Sequence, residues 1–158
     1  MRKLLVVVIV LLLSLCFVSP LLGAEPNALL NSIVYPGAGV QESEIHPLLQ
    51  RLAMEHADYM ARVCRQGHQN FQHRFDQVQR ELGMTATEIC AESWPWQAQD
   101  TPQDLAREMY KCWRQSRGHW AVASRKHTYA GGYLSQGRNG VWYACLLVSD
   151  GQKLTTKK

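Results

Sequence analysis

Val141-Trp142-Tyr143-Ala144-Cys145-Leu146-Leu147-Val148 sets the architecture of this chain. Successive side chains of a strand point to opposite faces. Val141, Tyr143, Cys145 and Leu147 therefore share one face, while Trp142, Ala144, Leu146 and Val148 share the other. Both faces are largely apolar, so the strand is central and covered on both sides. It begins at Gly140, and the Asn139-Gly140 step before it supplies the positive φ values of a tight hairpin. The hairpin partner is Tyr129 to Ser135.

A third strand is predicted upstream over Thr87 to Ser93, with Glu88, Cys90 and Glu92 on one face and Ile89 and Ala91 on the other. Three helices supply the covering layers. The first runs from Pro47 to Cys64 and buries Leu49, Leu52, Ala53, His56, Ala57, Met60, Ala61 and Cys64, with Gly67 as its stop. His56 on that face reads as a packed histidine with one hydrogen bond. The second runs from Asn70 as cap to Leu82 and carries Phe71, Phe75, Val78 and Leu82 inward, with Gly83 as its stop. Its other residues, among them Arg74 and the solvated His73, form a polar face that needs no functional explanation.

The third helix spans Pro102 to Gln115. Thr101 caps it, Pro102 takes its first position, and Asp104 sits in its first turn. Leu105, Met109, Cys112 and Trp113 make its inward stripe, and Gly118 closes its end in the left-handed conformation. His119 then leaves at a defined angle, as an aimed side chain.

The amino terminus reads as a targeting segment. Arg2 and Lys3 precede an apolar run from Leu4 to Val18, and Leu22-Gly23-Ala24 suits cleavage after Ala24. Residues 1–24 are thus a signal peptide, 25–42 a lead-in, 43–150 one domain and 151–158 a basic tail. The uncleaved alternative is a membrane anchor, because a span takes about 20 apolar residues. Cleavage removes two of the 17 basic residues and none of the 13 acidic ones, a balance too mild to imply a nucleic-acid partner. The expected location is secreted, periplasmic or extracellular.

Cys16 leaves with the signal. Cys64, Cys90, Cys112 and Cys145 remain, an even number that indicates disulfides in an exported chain. No pair has the Cys-x-x-Cys spacing of a zinc ribbon or a thioredoxin-like redox site.

Three polar residues stand at element ends or on a strand face: His68, Glu88 and His119. Two imidazoles and a carboxylate suit a divalent metal such as zinc. The same set also suits acid-base work, since histidine titrates near neutrality.

Asp58-Tyr59-Met60-Ala61, then His68, then Glu88-Ile89-Cys90-Ala91, then Trp113 to His119, then a Gly-rich hairpin ending Val141-Trp142-Tyr143, together resemble the CAP superfamily. That family, also called SCP domains, includes cysteine-rich secretory proteins, antigen 5 and plant pathogenesis-related proteins. The resemblance implies an α+β fold: an α-β-α sandwich with a central antiparallel sheet between helical layers. It also implies a cleft in which His68 and His119 are the two histidines and Glu88 the strand glutamate. Thr87 and Ile89 depart from the glycine and asparagine that usually flank this glutamate, and Arg117 replaces a proline. Ser116 stands where many eukaryotic members carry a second glutamate. If His68 and Glu88 face each other, Cys64 and Cys90 do so as well, which favours Cys64–Cys90 and Cys112–Cys145 among the three possible connectivities.

The expectation is a monomeric exported CAP-like domain whose cleft of His68, Glu88 and His119 binds a small molecule, a lipid, a protein or a divalent metal. One alternative is a metal-assisted hydrolase using the same cleft; the other is a structural envelope protein without an active site. The chain lacks the compact His-Glu-x-x-His motif of metalloproteases, which weighs against the enzyme. Trp113 and Trp142 are expected in the core; Trp94, Trp96 and Trp120 flank the cleft.

Overall fold

A computed structural model describes residues 35–95 and 101–151. The signal segment with Ala24, most of the lead-in, Trp96 and nearly all of the basic tail lie outside the described residues. After a short 3₁₀ turn at Gly39–Glu42 come β1 (Glu44–Ile45), α1 (Pro47–Val63), α2 (Phe71–Leu82), β2 (Thr87–Pro95), α3 (Pro102–Gln115), α4 (Arg117–Ala123), β3 (Tyr129–Gln136) and β4 (Val141–Ser149). No helix among the described residues is long and apolar enough to cross a membrane.

The sheet order is β1-β3-β4-β2, so the largely apolar strand β4 is interior. Its alternation divides the core. Tyr143, Cys145 and Leu147 pack with Leu49, Leu52, Met60 and Val78 of α1 and α2. Ala144, Leu146 and Val148 pack with Met109, Tyr110 and Trp113 of α3 and Ala123 of α4. The chain is thus an α+β protein with helices on both faces of the sheet, as expected. The sheet is mixed rather than purely antiparallel, because the two-residue β1 runs parallel to β3. β2 and β3 are both antiparallel to β4.

Beyond β1, the edge of β3 is closed by a side chain. Gln50 donates from Nε2 to the Gly132 carbonyl at 2.8 Å and accepts from the Gly132 amide at 3.2 Å. A primary amide has one donor and one acceptor to offer a strand edge, and here it stands in for a missing strand. At the adjacent residue α1 lies so close that a Cβ on Gly131 would sit 2.2 Å from the Gln50 nitrogen.

Several local expectations change. The hairpin has Gly140 alone in the left-handed region, at φ 76°. The Gly140 amide bonds the Gly137 carbonyl, and the Gly137 amide bonds the Val141 carbonyl. This is a turn followed by a glycine bulge rather than a two-residue loop needing two positive φ values. α1 stops at Cys64, itself left-handed at φ 50°, before Gly67 is reached. Thr101 and Asp104 form the expected cap, each side chain bonding the other's backbone amide. Cys112 is exposed, however, because Ala106 and Tyr110 share the buried stripe with Leu105, Met109 and Trp113. Those residues rotate the stripe by about an eighth of a turn from the predicted one, and Cys112 falls outside it.

The larger correction concerns Gly118. It does not end α3 in a left-handed cap; it lies inside α4. Ser116 separates the two helices with an extended backbone, φ −105° and ψ 116°, and its hydroxyl caps α4 by accepting from the His119 amide. A Cβ at Gly118 would meet nothing within 4 Å. Gly118→Ala is therefore expected to stabilise the protein by about 0.5–1 kcal/mol in urea unfolding, the difference between alanine and glycine in a helix. A loss of similar size would restore the left-handed cap.

Candidate functional site

The site forms where β2, an outer strand of the sheet, passes beneath the connection between α1 and α2. Glu88 points from β2 toward these helices, and its side chain is 1% exposed. Burying a carboxylate is expensive unless it is paired and hydrogen-bonded, and Glu88 is both. Arg74 of α2 grips it with two prongs, Nε to Oε2 at 2.6 Å and Nη2 to Oε1 at 2.9 Å. The third nitrogen of the guanidinium, Nη1, donates to the Gln69 carbonyl at 2.8 Å. His68 Nδ1 lies 3.0 Å from Glu88 Oε1. Against a carboxylate with no proton to give, Nδ1 must be the donor.

His68 thus spends one nitrogen on Glu88, while 46% of its side chain stays exposed. His119, near the start of α4, reaches it from the opposite helical layer, with ring centroids 6.4 Å apart. Such an approach is open because, among the described residues, β2 has no neighbouring strand on that side. Beside His68 is an open pocket of about 340 Å³, lined by Phe71, Ala86, Thr87 and Glu88.

Two sulfurs lie below. Cys90 is two residues along β2 from Glu88, with Sγ 3.9 Å from His68 Nδ1. Cys145 of β4 is directly opposite Cys90 in the sheet register, and its Sγ is 3.8 Å from Glu88 Oε2. His56 completes the surroundings: its Nε2 donates to the Gly67 carbonyl at 2.8 Å and is 3.7 Å from Glu88 Oε1.

These contacts separate the titrations of like groups. Cys90 and then Glu88 hold the His68 imidazolium up to about 9, against the effect of burial. Burial first, and the charge on His68 second, push His119 down. The two histidines therefore carry different charges at neutral pH. Within the sulfur pair, the hydrogen bond from Cys145, helped by His56 and His68, makes Cys90 the more acidic, and burial makes Cys145 the less acidic.

The structure brings all three sequence-selected residues to one place, His68 and Glu88 in direct contact and His119 beside His68. It also adds residues outside that set. His56, Glu88 and Cys90 hold potential ligand atoms within 4.8 Å of one another, a buried group that could hold a metal ion. To serve there, His56 would give up Gly67 and Glu88 would share its oxygens with Arg74. Arg74 escaped the sequence reading, although it lies three residues after Phe71 and four before Val78, a spacing that places it at the margin of the buried face. Ser116 supplies the helix cap that positions His119. His73 is exposed, as expected.

The cysteines depart from the expected pairing. Cys64, Cys90, Cys112 and Cys145 are all free thiols. Cys112 lies on α3, whose layer covers the sheet face opposite to that of Cys145, so these two do not meet. Cys64 donates to the Ala61 carbonyl as part of the α1 terminus, and Cys90 faces Cys145 instead. Trp113 is buried, Trp94 is 79% exposed, and Trp120 lies against Tyr35 and beneath the Arg114 guanidinium.

No family model matches the chain, and no curated protein matches it. Among solved structures, the fold is similar to that of an outer surface protein from Borrelia burgdorferi, with a TM-score of 0.53 and 17% identity. The likeness covers 70% of this chain and 78% of that one. It is a likeness of fold.

Proposed function

We propose that this is an exported CAP-like domain whose cleft binds a divalent metal such as zinc through His68 and His119, with Glu88 orienting His68 from behind. The observation that carries this reading is the buried Glu88 carboxylate 3.0 Å from Nδ1 of a half-exposed histidine. A carboxylate that fixes one imidazole nitrogen leaves the other directed outward and more basic, the usual arrangement behind a metal-ligating histidine. In this reading Glu88 is a positioning residue, because Arg74 and His68 occupy its oxygens. His119 is neutral at neutral pH and ready to ligate. The pocket beside His68 gives a small ligand room next to the metal.

The CAP resemblance and the fold shared with an outer surface protein support export. The hydrolase alternative requires a carboxylate free to activate water, and Glu88 is not free.

Calorimetric titration of zinc into the full chain tests the proposal. One equivalent is expected to bind, and His68→Ala and His119→Ala should each weaken binding by at least about 100-fold, with Glu88→Gln costing about 10- to 100-fold. Since His68 must release a proton from Nε2, affinity should rise from about pH 6 toward about pH 9, and the heat should vary with the ionisation enthalpy of the buffer. A wild-type chain that takes up no zinc, with both histidine variants merely less stable, would leave the structural role instead.

A further inference from the structure

Cys90 and Cys145 occupy directly opposed positions on β2 and β4. Opposed residues of antiparallel strands have Cα atoms about 4.5 or 5.5 Å apart, and both distances fall within the roughly 4.4–6.8 Å span of disulfides. Both side chains also point to the same face, since both belong to the cluster beneath α1 and α2. Neither condition is met by Cys112, which is exposed on the other layer. Cys64 closes a helix and bonds a carbonyl of its own last turn.

We propose that Cys90 and Cys145 are a redox pair, joined across β2 and β4 by a reversible disulfide when the chain meets a disulfide oxidant such as oxidised glutathione. The Cys90 thiolate attacks one sulfur of the oxidant, forming a mixed disulfide and releasing one glutathione thiol. Cys145 then loses its proton and attacks the Cys90 sulfur, releasing the second. Two protein thiols are oxidised by two electrons, and one external disulfide is reduced to two thiols. Cys90 is the entry point because it contacts His68, which is half exposed at the open edge of the sheet. Both thiols are buried, Cys90 at 1% and Cys145 at 0% exposure, so the oxidant reaches Cys90 when the His68 edge opens, and Cys145, on the interior strand, resolves the intermediate.

The bond requires Cys90 to leave His68 and Cys145 to leave Glu88. It leaves the Arg74 fork and the His68–Glu88 hydrogen bond in place, and the test reads the sulfurs alone, so its outcome is distinguishable from that of metal binding by His68 and His119.

The test uses the full chain, reduced and folded, exposed to oxidised glutathione, and in parallel the same chain refolded from urea in a mixture of reduced and oxidised glutathione. Acid quenching, alkylation under denaturing conditions and non-reducing peptide mapping follow. The expected product is a peptide linking Cys90 to Cys145, reversed by dithiothreitol. In Cys145→Ser the linked peptide should disappear and glutathione should remain on Cys90. Full alkylation of Cys90 and Cys145 in both arms would overturn the proposal. So would a dominant link from either residue to Cys64 or Cys112. The refolding arm removes burial as a reason for lack of reaction.

Discussion

Arg74→Met should lower the stability of the protein by about 3–5 kcal/mol in urea unfolding, the usual penalty for removing one partner of a buried ion pair. Methionine fills much of the arginine's volume, so the loss reports charge and hydrogen bonding more than packing. What it leaves is Glu88, 1% exposed, with His68 as its one close charged partner among the described residues. His56 stands farther off at 3.7 Å, with its Nε2 proton directed at the Gly67 carbonyl. Arg74→Lys should recover only part of the loss, because an ammonium cannot reproduce the two-pronged grip on both carboxylate oxygens. The double variant Arg74→Met/Glu88→Leu should recover most of the stability, since apolar replacement of a whole buried pair is often neutral. It should still bind zinc poorly, because nothing then orients His68. A loss below about 1 kcal/mol for Arg74→Met, the range of an exposed ion pair, would mean that Glu88 is solvated and the cleft is built differently.

Gly131→Ala should be comparably damaging. Its Cβ would lie 2.2 Å from the Gln50 nitrogen and 2.3 Å from the Leu49 carbonyl carbon. Both are backbone atoms of α1, so no side-chain rotation relieves the clash, and α1 must lift from β3. Overpacking in a core typically costs about 1–3 kcal/mol, occasionally more. Moving a helix that buries Leu49, Leu52, Ala53, Ala57 and Met60 places this variant at the upper end. The shift should also pull Gln50 from Gly132 and expose the edge of β3, so slowly exchanging amides of β3 should lose protection in hydrogen exchange. Unchanged stability and exchange would show that α1 does not approach the sheet this closely.

Much of this architecture is visible in the sequence because it depends on period. β4 reads as interior since its residues are apolar on both faces, and α1 reads as one buried stripe since its spacing is regular. The cap at Thr101 is local chemistry, legible within one helical turn. Misreadings arise where two local signals compete. Gly118 looks like a helix terminator, yet Ser116 two residues earlier is a good helix cap, and a new helix starts there. Cys112 fits the spacing of Met109, but Ala106 and Tyr110 turn the stripe away from it. His68, Glu88 and His119 are legible as chemistry-bearing residues at element ends, and their convergence depends on the order of motifs along the chain. Arg74 is not legible, because a charged residue on an amphipathic helix is ordinarily solvated, and nothing local reveals that Glu88, on a different element, is buried against it. The opposition of Cys90 and Cys145 is a matter of strand register, which follows from the pairing of β2 with β4 rather than from spacing.

Whether His68 and His119 are the metal ligands, with Glu88 standing behind His68, is read most directly by long-range proton–nitrogen NMR of the histidine rings during a zinc titration, because each imidazole nitrogen reports separately. Zinc is expected to shift Nε2 of His68 and a ring nitrogen of His119, while His68 Nδ1 keeps its proton toward Glu88 and the His56 signals stay in place. Zinc-induced shifts at His56 without shifts at His68 and His119 would move the site to the buried group with Glu88 and Cys90, and no shift at any histidine would contradict a metal-binding cleft.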